Sequence, residues 1–265
     1  MQHSLHGKIV LVTGGSAGIG RAAAGIFANA GATVVIAARG TERGLRAERE
    51  IREAGGSAHF MQTDVSQPAQ VEKLVAQIAA SFGRLDCAFN NAAVLNRTAP
   101  TGDYEECDFD TEVTLNLKSI WLCMKYELLQ MQQQDPRGGA IVNTSSINGL
   151  GGARNASLYS MSKAGIIALT KSAAQEYAPD NIRINALVAG GFDTEMLHNA
   201  VSQRVGGDPE KIEMALQGFA ARIPAGRIGH PEEAAQVALW LCSDNASYVT
   251  GHAMIVDGGL TVWAR

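Results

Sequence analysis

Lys8-Ile-Val-Leu-Val-Thr13-Gly14-Gly-Ser-Ala-Gly18-Ile-Gly20 is the stretch from which the fold is read. Its first six residues form a short apolar, β-branched run, the composition of a buried parallel strand. Glycines follow at once, and Arg21 to Ala30 then reads as a helix closed by Gly31. Glycines at a strand-to-helix turn let the backbone approach a pyrophosphate. The anion then rests on the helix N-terminus, where free N–H groups and the helix dipole favour negative charge. Four glycines within Gly14–Gly20, spaced G-x-x-x-G-x-G, make a merely tight turn the weaker reading. The same residues also spell Gly14-Gly15-Ser16-Ala17-Gly18, a G-x-S-x-G nucleophile elbow. A serine hydrolase built on Ser16 would need an acid and a later histidine, for which His198, His230 and His252 are available. Only one strand precedes Ser16, which leaves no upstream segment for an oxyanion loop.

Outward from this stretch the chain alternates. Strands are predicted at Thr33–Ala37, Ala58–Gln62, Leu85–Phe89, Gly139–Thr144, Ile182–Val188 and Ala253–Asp257. Helices are predicted at Glu42–Ala54 and Pro68–Phe82, from after Asp108 through about Met131, over 157–178, and from Pro231 onward. Residues 193–227 form a longer excursion of helical character. Regular strand–helix alternation without a linker or an internal repeat predicts an α/β fold. The expected architecture is a single doubly wound parallel sheet of about seven strands, helices on both faces, in one domain over 1–265.

Tyr159-Ser-Met-Ser-Lys163 lies inside the helix predicted over 157–178. Residues i and i+4 share a helix face, so a phenol and an ammonium can share a site. A nearby cation favours the phenolate and lowers a pKa that is ordinarily about 10. Taken alone, the pair also fits an ordinary amphipathic helix with a solvated lysine.

The chain carries 22 Lys and Arg against 26 Asp and Glu, a net charge of −4 without a basic stripe. That argues against nucleic acid as a partner. Cys87, Cys107, Cys123 and Cys242 are scattered and suggest neither a disulfide framework nor a metal site. The sequence has no apolar run of the ~18 residues a membrane span needs, and MQHSLHGK has no hydrophobic signal region. The expectation is a soluble, cytoplasmic protein.

With the glycine loop, Asn90-Asn91-Ala92-Ala93 after the fourth strand and Tyr159-x-x-x-Lys163 together, the chain resembles the short-chain dehydrogenase/reductase family from about Lys8 to the C-terminus. The resemblance implies a Rossmann-type fold and an NAD(P)-dependent oxidoreductase that interconverts an alcohol and a ketone. It implies a catalytic set of Asn116, Ser146, Tyr159 and Lys163; the family spacing selects Ser146 over Ser145. Tyr159 would be the acid/base, and Lys163 would lower its pKa and bind ribose. Ser146 would donate to the developing alkoxide, and Asn116 would hold a water on the proton path. The cofactor loop is Thr13, Gly14, Ser16, Gly18, Ile19 and Gly20. Asp64 and Val65 would contact adenine, Asn91 and Ala92 would lie near the cofactor, Gly190 would lie on the backbone path near the nicotinamide ring, and Thr194 would hold the carboxamide. Two positions depart from the family pattern: Ala93 stands for a glycine, and Ala189 for a proline.

A carboxylate at the end of the second strand would select NAD. That end reads Ala37-Ala38-Arg39, and an arginine pairs with a 2′-phosphate, so NADP(H) is favoured and NAD(H) is the alternative. The segments that line the pocket in relatives offer Leu95, Asn148, Leu150, Phe192 and Met196, with Met214 and Phe219 placed as a lid. Ser146, Asn148, Tyr159 and Phe192 are the candidate substrate contacts. This mostly apolar set fits an uncharged alcohol or ketone, cyclic or steroid-like. Relatives are commonly tetramers, and Leu260–Trp263 is apolar enough for an interface. A dinucleotide-binding sensor or scaffold without turnover is the reading from another class.

Overall fold

The computed structural model describes residues 4–262. Seven parallel strands form one sheet in the order β3-β2-β1-β4-β5-β6-β7. They are β1 (Ile9–Thr13), β2 (Thr33–Ala38), β3 (Ser57–Gln62), β4 (Cys87–Asn90), β5 (Gly139–Ser146), β6 (Ile182–Ala189) and β7 (Ala253–Val256). Helices α1 (Gly18–Asn29), α2 (Thr41–Glu53) and α3 (Pro68–Phe82) connect the first four strands. Then α4 (Glu106–Glu112) passes through a π-helical turn, Val113–Lys118, into α5 (Ser119–Gln133). A short α6 (Asn148–Gly151) precedes α7 (Ser157–Tyr177). The excursion after β6 contains α8 (Glu195–Val205) and α9 (Pro209–Ala220), and α10 (Pro231–Cys242) leads to β7.

Alternation along the strands explains both layers. Val10 and Val12 point to one face, where they pack with Phe27 of α1, Ile51 of α2 and Leu239 of α10. Ile9 and Leu11 point to the other, against Ile78 of α3, Met124 of α5 and Ile166 of α7. Successive side chains of a strand face opposite ways, so a sheet covered on both sides needs apolar residues at every position. Each fully buried Val, Leu or Ile contributes about 1.5–3 kcal/mol.

Several boundaries differ from the sequence reading. β4 begins at Cys87 rather than Leu85, because Gln134 takes the place of a ladder partner at Leu85. Its Oε1 accepts from Leu85 N–H at 2.9 Å and its Nε2 donates to Leu85 C=O at 2.9 Å. β5 runs on to Ser146 because β6 accompanies it, with Ser146 opposite Ala189. The long helix expected up to Met131 contains the π-helical turn. The terminal interface expectation reaches Trp263, which lies outside the described residues.

The strand order reverses beside β1, whose neighbours are β2 and β4. A crevice opens at such a switch point, outside the carboxyl ends of the two strands. The glycine loop follows β1, and Asn91 follows β4, so both stand at its floor.

Below that floor Glu127 of α5 is fully buried. Asn90 Nδ2 donates to its Oε2 at 2.9 Å and to Asn143 Oδ1 at 3.1 Å. Among the described residues, Asn90 Oδ1 and Glu127 Oε1 lack partners. The carboxylic acid form carries a donor that the carboxylate does not. Burial pushes the Glu127 carboxyl up to about 8, against the smaller opposing effect of the Asn90 bond. The folded protein therefore holds this proton more tightly than the unfolded chain. The resulting stability is present below the ordinary value of 4.5 and is lost as pH rises toward about 8. Unfolding free energy should fall across that window by on the order of a few kcal/mol. Urea titrations at several pH values should show a flatter dependence for Glu127→Gln.

Candidate active site

The glycine loop is shaped by contacts that a side chain would break. Gly14 has φ +67°, and a Cβ there would stand 2.8 Å from Ala92 Cα. At Gly20 a Cβ would run into the carbonyl oxygen of Gly14 and stand 2.6 Å from Asn91 Nδ2. Thr13 fastens the two strand ends, its Oγ1 accepting from Asn91 N at 3.0 Å and Ala92 N at 3.2 Å. Ala17, the N-cap of α1, offers no side-chain cap, so the N–H groups of the first turn are left for an anion. Ile19 packs into the core below. Ser16 lies in this loop, and among the described residues no histidine is hydrogen-bonded to it; His198 instead pairs with Asp193 at 2.6 Å. The relay a serine nucleophile requires is not assembled there.

The other positions expected at the cofactor are arranged around the crevice. Arg39 follows β2, is exposed, and has no side-chain partner among the described residues; its carbonyl accepts from Gln62 Nε2 at 3.1 Å. Arg43 is paired with Glu195 of α8 at 2.8 Å. Asp64 turns its Oδ1 toward Ser66, accepting from the backbone N–H at 3.0 Å and from Oγ at 2.7 Å. Val65 packs against the cluster of Val71, Leu122 and Cys123. Gly190 leaves β6 with its N–H on Val256 C=O at 2.9 Å, and a Cβ there would stand 2.6 Å from Asp257 Cα. Where the family has proline, Ala189 continues the ladder between Ser146 and Val256. Thr194 lies over the glycine loop, 3.3 Å from a Cβ built on Gly18. Its hydroxyl caps α8, accepting from Leu197 N at 3.4 Å and donating to Phe192 O at 3.3 Å.

Ser146, Tyr159 and Lys163 converge where β5 ends against α7. Lys163 is 1 % exposed, and its Nζ donates to Thr144 C=O at 3.0 Å. That Nζ lies 5.5 Å from the centroid of the Tyr159 ring. The two adjacent serines separate cleanly. Ser145 Oγ donates to Lys163 C=O at 2.8 Å and so locks α7 to the strand. Ser146 Oγ accepts from Asn148 N–H at 3.2 Å and lies close enough to the Tyr159 phenol to lower its pKa. Asn148 opens α6, which packs so closely on α7 that a Cβ on Gly149 would stand 2.7 Å from Lys163 C.

Asn116 is fully buried within the π-helical turn, a local form often found at functional sites. Its side chain clamps Val94, donating to the C=O and accepting from the N–H, each at 2.8 Å. The remaining amide hydrogen goes to Glu112 Oε1. Both amide hydrogens are thereby committed, so the side chain acts as a clamp on the segment after β4.

Tyr159 is shaped by the same surroundings. Its phenol is pushed up to about 12, by burial first and by the Glu112 carboxylate second, while the Ser146 hydrogen bond pulls the other way. Burial lowers Lys163 to about 8, opposed by Glu112. In the protein alone, burial and a nearby anion both disfavour the phenolate. Glu112 was missed in the sequence because it lies inside the helix predicted after Asp108, where only Asn116 was singled out. Its spacing of four residues before Asn116, on one helix face, was the available signal.

Among the candidate substrate contacts, Phe192 is 6 % exposed and belongs to the core. Its ring lies where a Cβ on Gly229 would stand, 2.7 Å away. This residue supports the crevice from behind and is not a free lining residue. Phe219 is likewise seated, its ring against Gly191. Leu150, Met196 and Met214 are exposed. Two segments beside the site are latched together. Tyr104 Oη is shared between Arg97 C=O at 3.3 Å and Asn155 C=O at 3.0 Å, and Ala99 N–H also reaches Asn155 C=O at 3.0 Å.

Residues 14–261 match the family model described as enoyl-(acyl carrier protein) reductase. The chain is 38 % identical over 257 residues to a 2,5-dichloro-2,5-cyclohexadiene-1,4-diol dehydrogenase of Sphingobium indicum, covering 97 % of this chain and 98 % of the relative. It is 37 % identical over 255 residues to levodione reductase of Leifsonia aquatica, covering 95 % and 93 %. A crystal structure of levodione reductase superposes with a TM-score of 0.93 at 34 % identity, covering 98 % of this chain and 99 % of the other.

The clamp has a measurable consequence. Asn116→Ala orphans the N–H and C=O of Val94 and should destabilise the protein by roughly 2–4 kcal/mol. Hydrogen exchange should quicken at Val94 and through the segment up to Tyr104, ahead of the sheet.

Proposed function

The chain belongs to the short-chain dehydrogenase/reductase family, and on that premise we propose that it is an NAD(P)-dependent oxidoreductase interconverting an alcohol and a ketone, with Tyr159 as acid/base. The observation that carries the reading is the convergence of Ser146 and Lys163 on Tyr159 at the carboxyl edge of the sheet. The nicotinamide, when bound, supplies or accepts the hydride. In reduction Tyr159 Oη gives a proton to the carbonyl oxygen; in oxidation it takes the hydroxyl proton. Ser146 Oγ donates a hydrogen bond to the same oxygen as charge develops on it. The Lys163 ammonium favours the phenolate against the burial that opposes it. The glycine loop and the uncapped N-terminus of α1 would hold the pyrophosphate.

NADP(H) is the favoured cofactor. Ala38 stands where a ribose-binding carboxylate would be, and the Arg39 guanidinium, just past the end of β2, has no side-chain partner among the described residues. The substrate is an uncharged, cyclic or moderately apolar alcohol or ketone. Support comes from exposed Leu150, Met196 and Met214 and from the cyclic diol in the name of the Sphingobium relative. The reading extends to a homotetramer working in the cytoplasm; Trp121 and Leu129, large apolar residues exposed on α5, support assembly.

Fluorescence titration with NADPH and NADH tests the cofactor choice. NADPH should bind at least tenfold more tightly, and Arg39→Ala should weaken NADPH by about 10- to 100-fold, as for a lost charge-assisted bond of about 1.5–3 kcal/mol, with NADH unchanged. Tyr159→Phe should lower kcat/KM for carbonyl reduction by about 100-fold or more while dinucleotide binding persists. Full turnover by Tyr159→Phe would remove Tyr159 from the reaction.

A further inference from the structure

Ser162 stands on α7 between the two residues on which the proposed chemistry turns. Helical spacing of about 100° per residue puts it about 60° to one side of Tyr159, and Lys163 about 40° to the other. Whatever holds both neighbours therefore sets the angle at which the Tyr159 side chain leaves the helix. Lys163 is held from β5, by Ser145 on its carbonyl and by the Thr144 carbonyl on its Nζ. Ser162 is held from a different element. It is fully buried, and its Oγ donates to Glu112 Oε1 at 2.9 Å, with Tyr159 C=O as a second acceptor at 2.9 Å.

Glu112 closes α4 and is 3 % exposed, and its Oε1 also accepts from Asn116 Nδ2. Asn116 in turn grips the N–H and C=O of Val94. The oxygen that receives Ser162 is thus itself tied to the π-helical turn and to the segment after β4. Leu117 of that turn lies so close to α7 that a Cβ on Gly165 would stand 3.1 Å from its Cδ1. Apolar packing of this kind is non-directional and presses α7 inward without fixing its rotation. A hydrogen bond weakens steeply as its angle closes, so the Ser162–Glu112 bond resists the rotation that packing permits.

We propose that Ser162 and Glu112 are positioning residues that set the rotation of α7 and, through it, the place of the Tyr159 phenol. The consequence for turnover rests on the oxidoreductase reading above. A turn of about 10° about the helix axis carries a side-chain tip roughly 6 Å out by about 1 Å. A misplacement of about 1 Å at a reacting group costs up to about 100-fold in rate. What Glu112 supplies is an acceptor oxygen of the right reach at the end of α4.

The test compares Glu112→Gln, Glu112→Asp, Glu112→Ala and Ser162→Ala, each at its own pH optimum and per folded molecule. Glutamine keeps the oxygen at the same reach and should hold kcat within about threefold, whereas aspartate, a methylene short, should fall with alanine by about 10- to 100-fold. Ser162→Ala should fall equally, and its loss should not add to that of Glu112→Ala in the double variant. Dinucleotide affinity should stay within about threefold throughout, because the loss lies in the reacting geometry and not in ground-state binding. Crystal structures of the cofactor-free wild type and Ser162→Ala give a readout free of turnover: α7 should be rotated and Tyr159 Oη displaced. If Ser162→Ala does not fold, Glu112→Asp carries the same comparison. An unmoved Tyr159 or an undiminished kcat in Ser162→Ala overturns the positioning role, and so does a glutamine variant as slow as alanine. A displaced Tyr159 in a protein that turns over nothing with either dinucleotide supports the positioning role and sinks the oxidoreductase reading instead.

Discussion

A lysine ammonium held almost wholly out of water is the constraint around which the structure is arranged. Removing a charge from solvent costs several kcal/mol unless hydrogen bonds and an opposite charge replace the lost water. Thr144 supplies the carbonyl, Ser145 ties the lysine's own backbone to β5, and Glu112 joins the start of α7 to the π-helical turn through Ser162 and Asn116. Each of these partners comes from a different level of the fold: the end of a strand, the next residue along it, and the last turn of a helix. Separating β5 from α7 would leave the ammonium without its carbonyl partner. The buried lysine is therefore a point of structural registration between β5 and α7.

The sheet makes this registration possible. Parallel strands put all their carboxyl ends at one edge, and the reversal of order beside β1 opens that edge. The π-helical turn then does what a regular helix would not. It places Asn116 to grip Val94 with both halves of its amide while Glu112 still faces α7. Behind the edge, Asn90, Asn143 and Glu127 form a second buried polar group that ties β4, β5 and α5. Two ionisable side chains, Lys163 and Glu127, are buried on the same side of the sheet, and burial favours the neutral form of both.

Much of this was legible in the sequence where the signal is local. The apolar run before Gly14, the glycine spacing and the i, i+4 placement of Tyr159 and Lys163 are short-range patterns, and the structure reproduces the elements they predict. The ends of β4 and β5 were misjudged because they depend on partners far along the chain: Gln134 at Leu85, and Ala189 at Ser146. Phe192 read as a pocket residue because it follows a strand; only the close approach of Gly229 shows it to be core. The upward shift of Tyr159 and the place of Glu112 share one reason. Helical spacing tells which residues share a face, but not how much water that face excludes or which neighbouring helix presents an anion to it.

The Tyr104 latch has a mechanical consequence. Its hydroxyl and the Ala99 amide bind the segment after β4 to the carbonyl of Asn155, just before α7. Asn116 anchors the other end of that segment at Val94. A loop pinned at both ends has few residues left to bend, so the two segments deform as one body. A bulky ligand that displaces either of them must drag the start of the tyrosine-bearing helix with it. Bulk would thereby be resisted by stiffness carried to the start of α7, two turns or less from Tyr159.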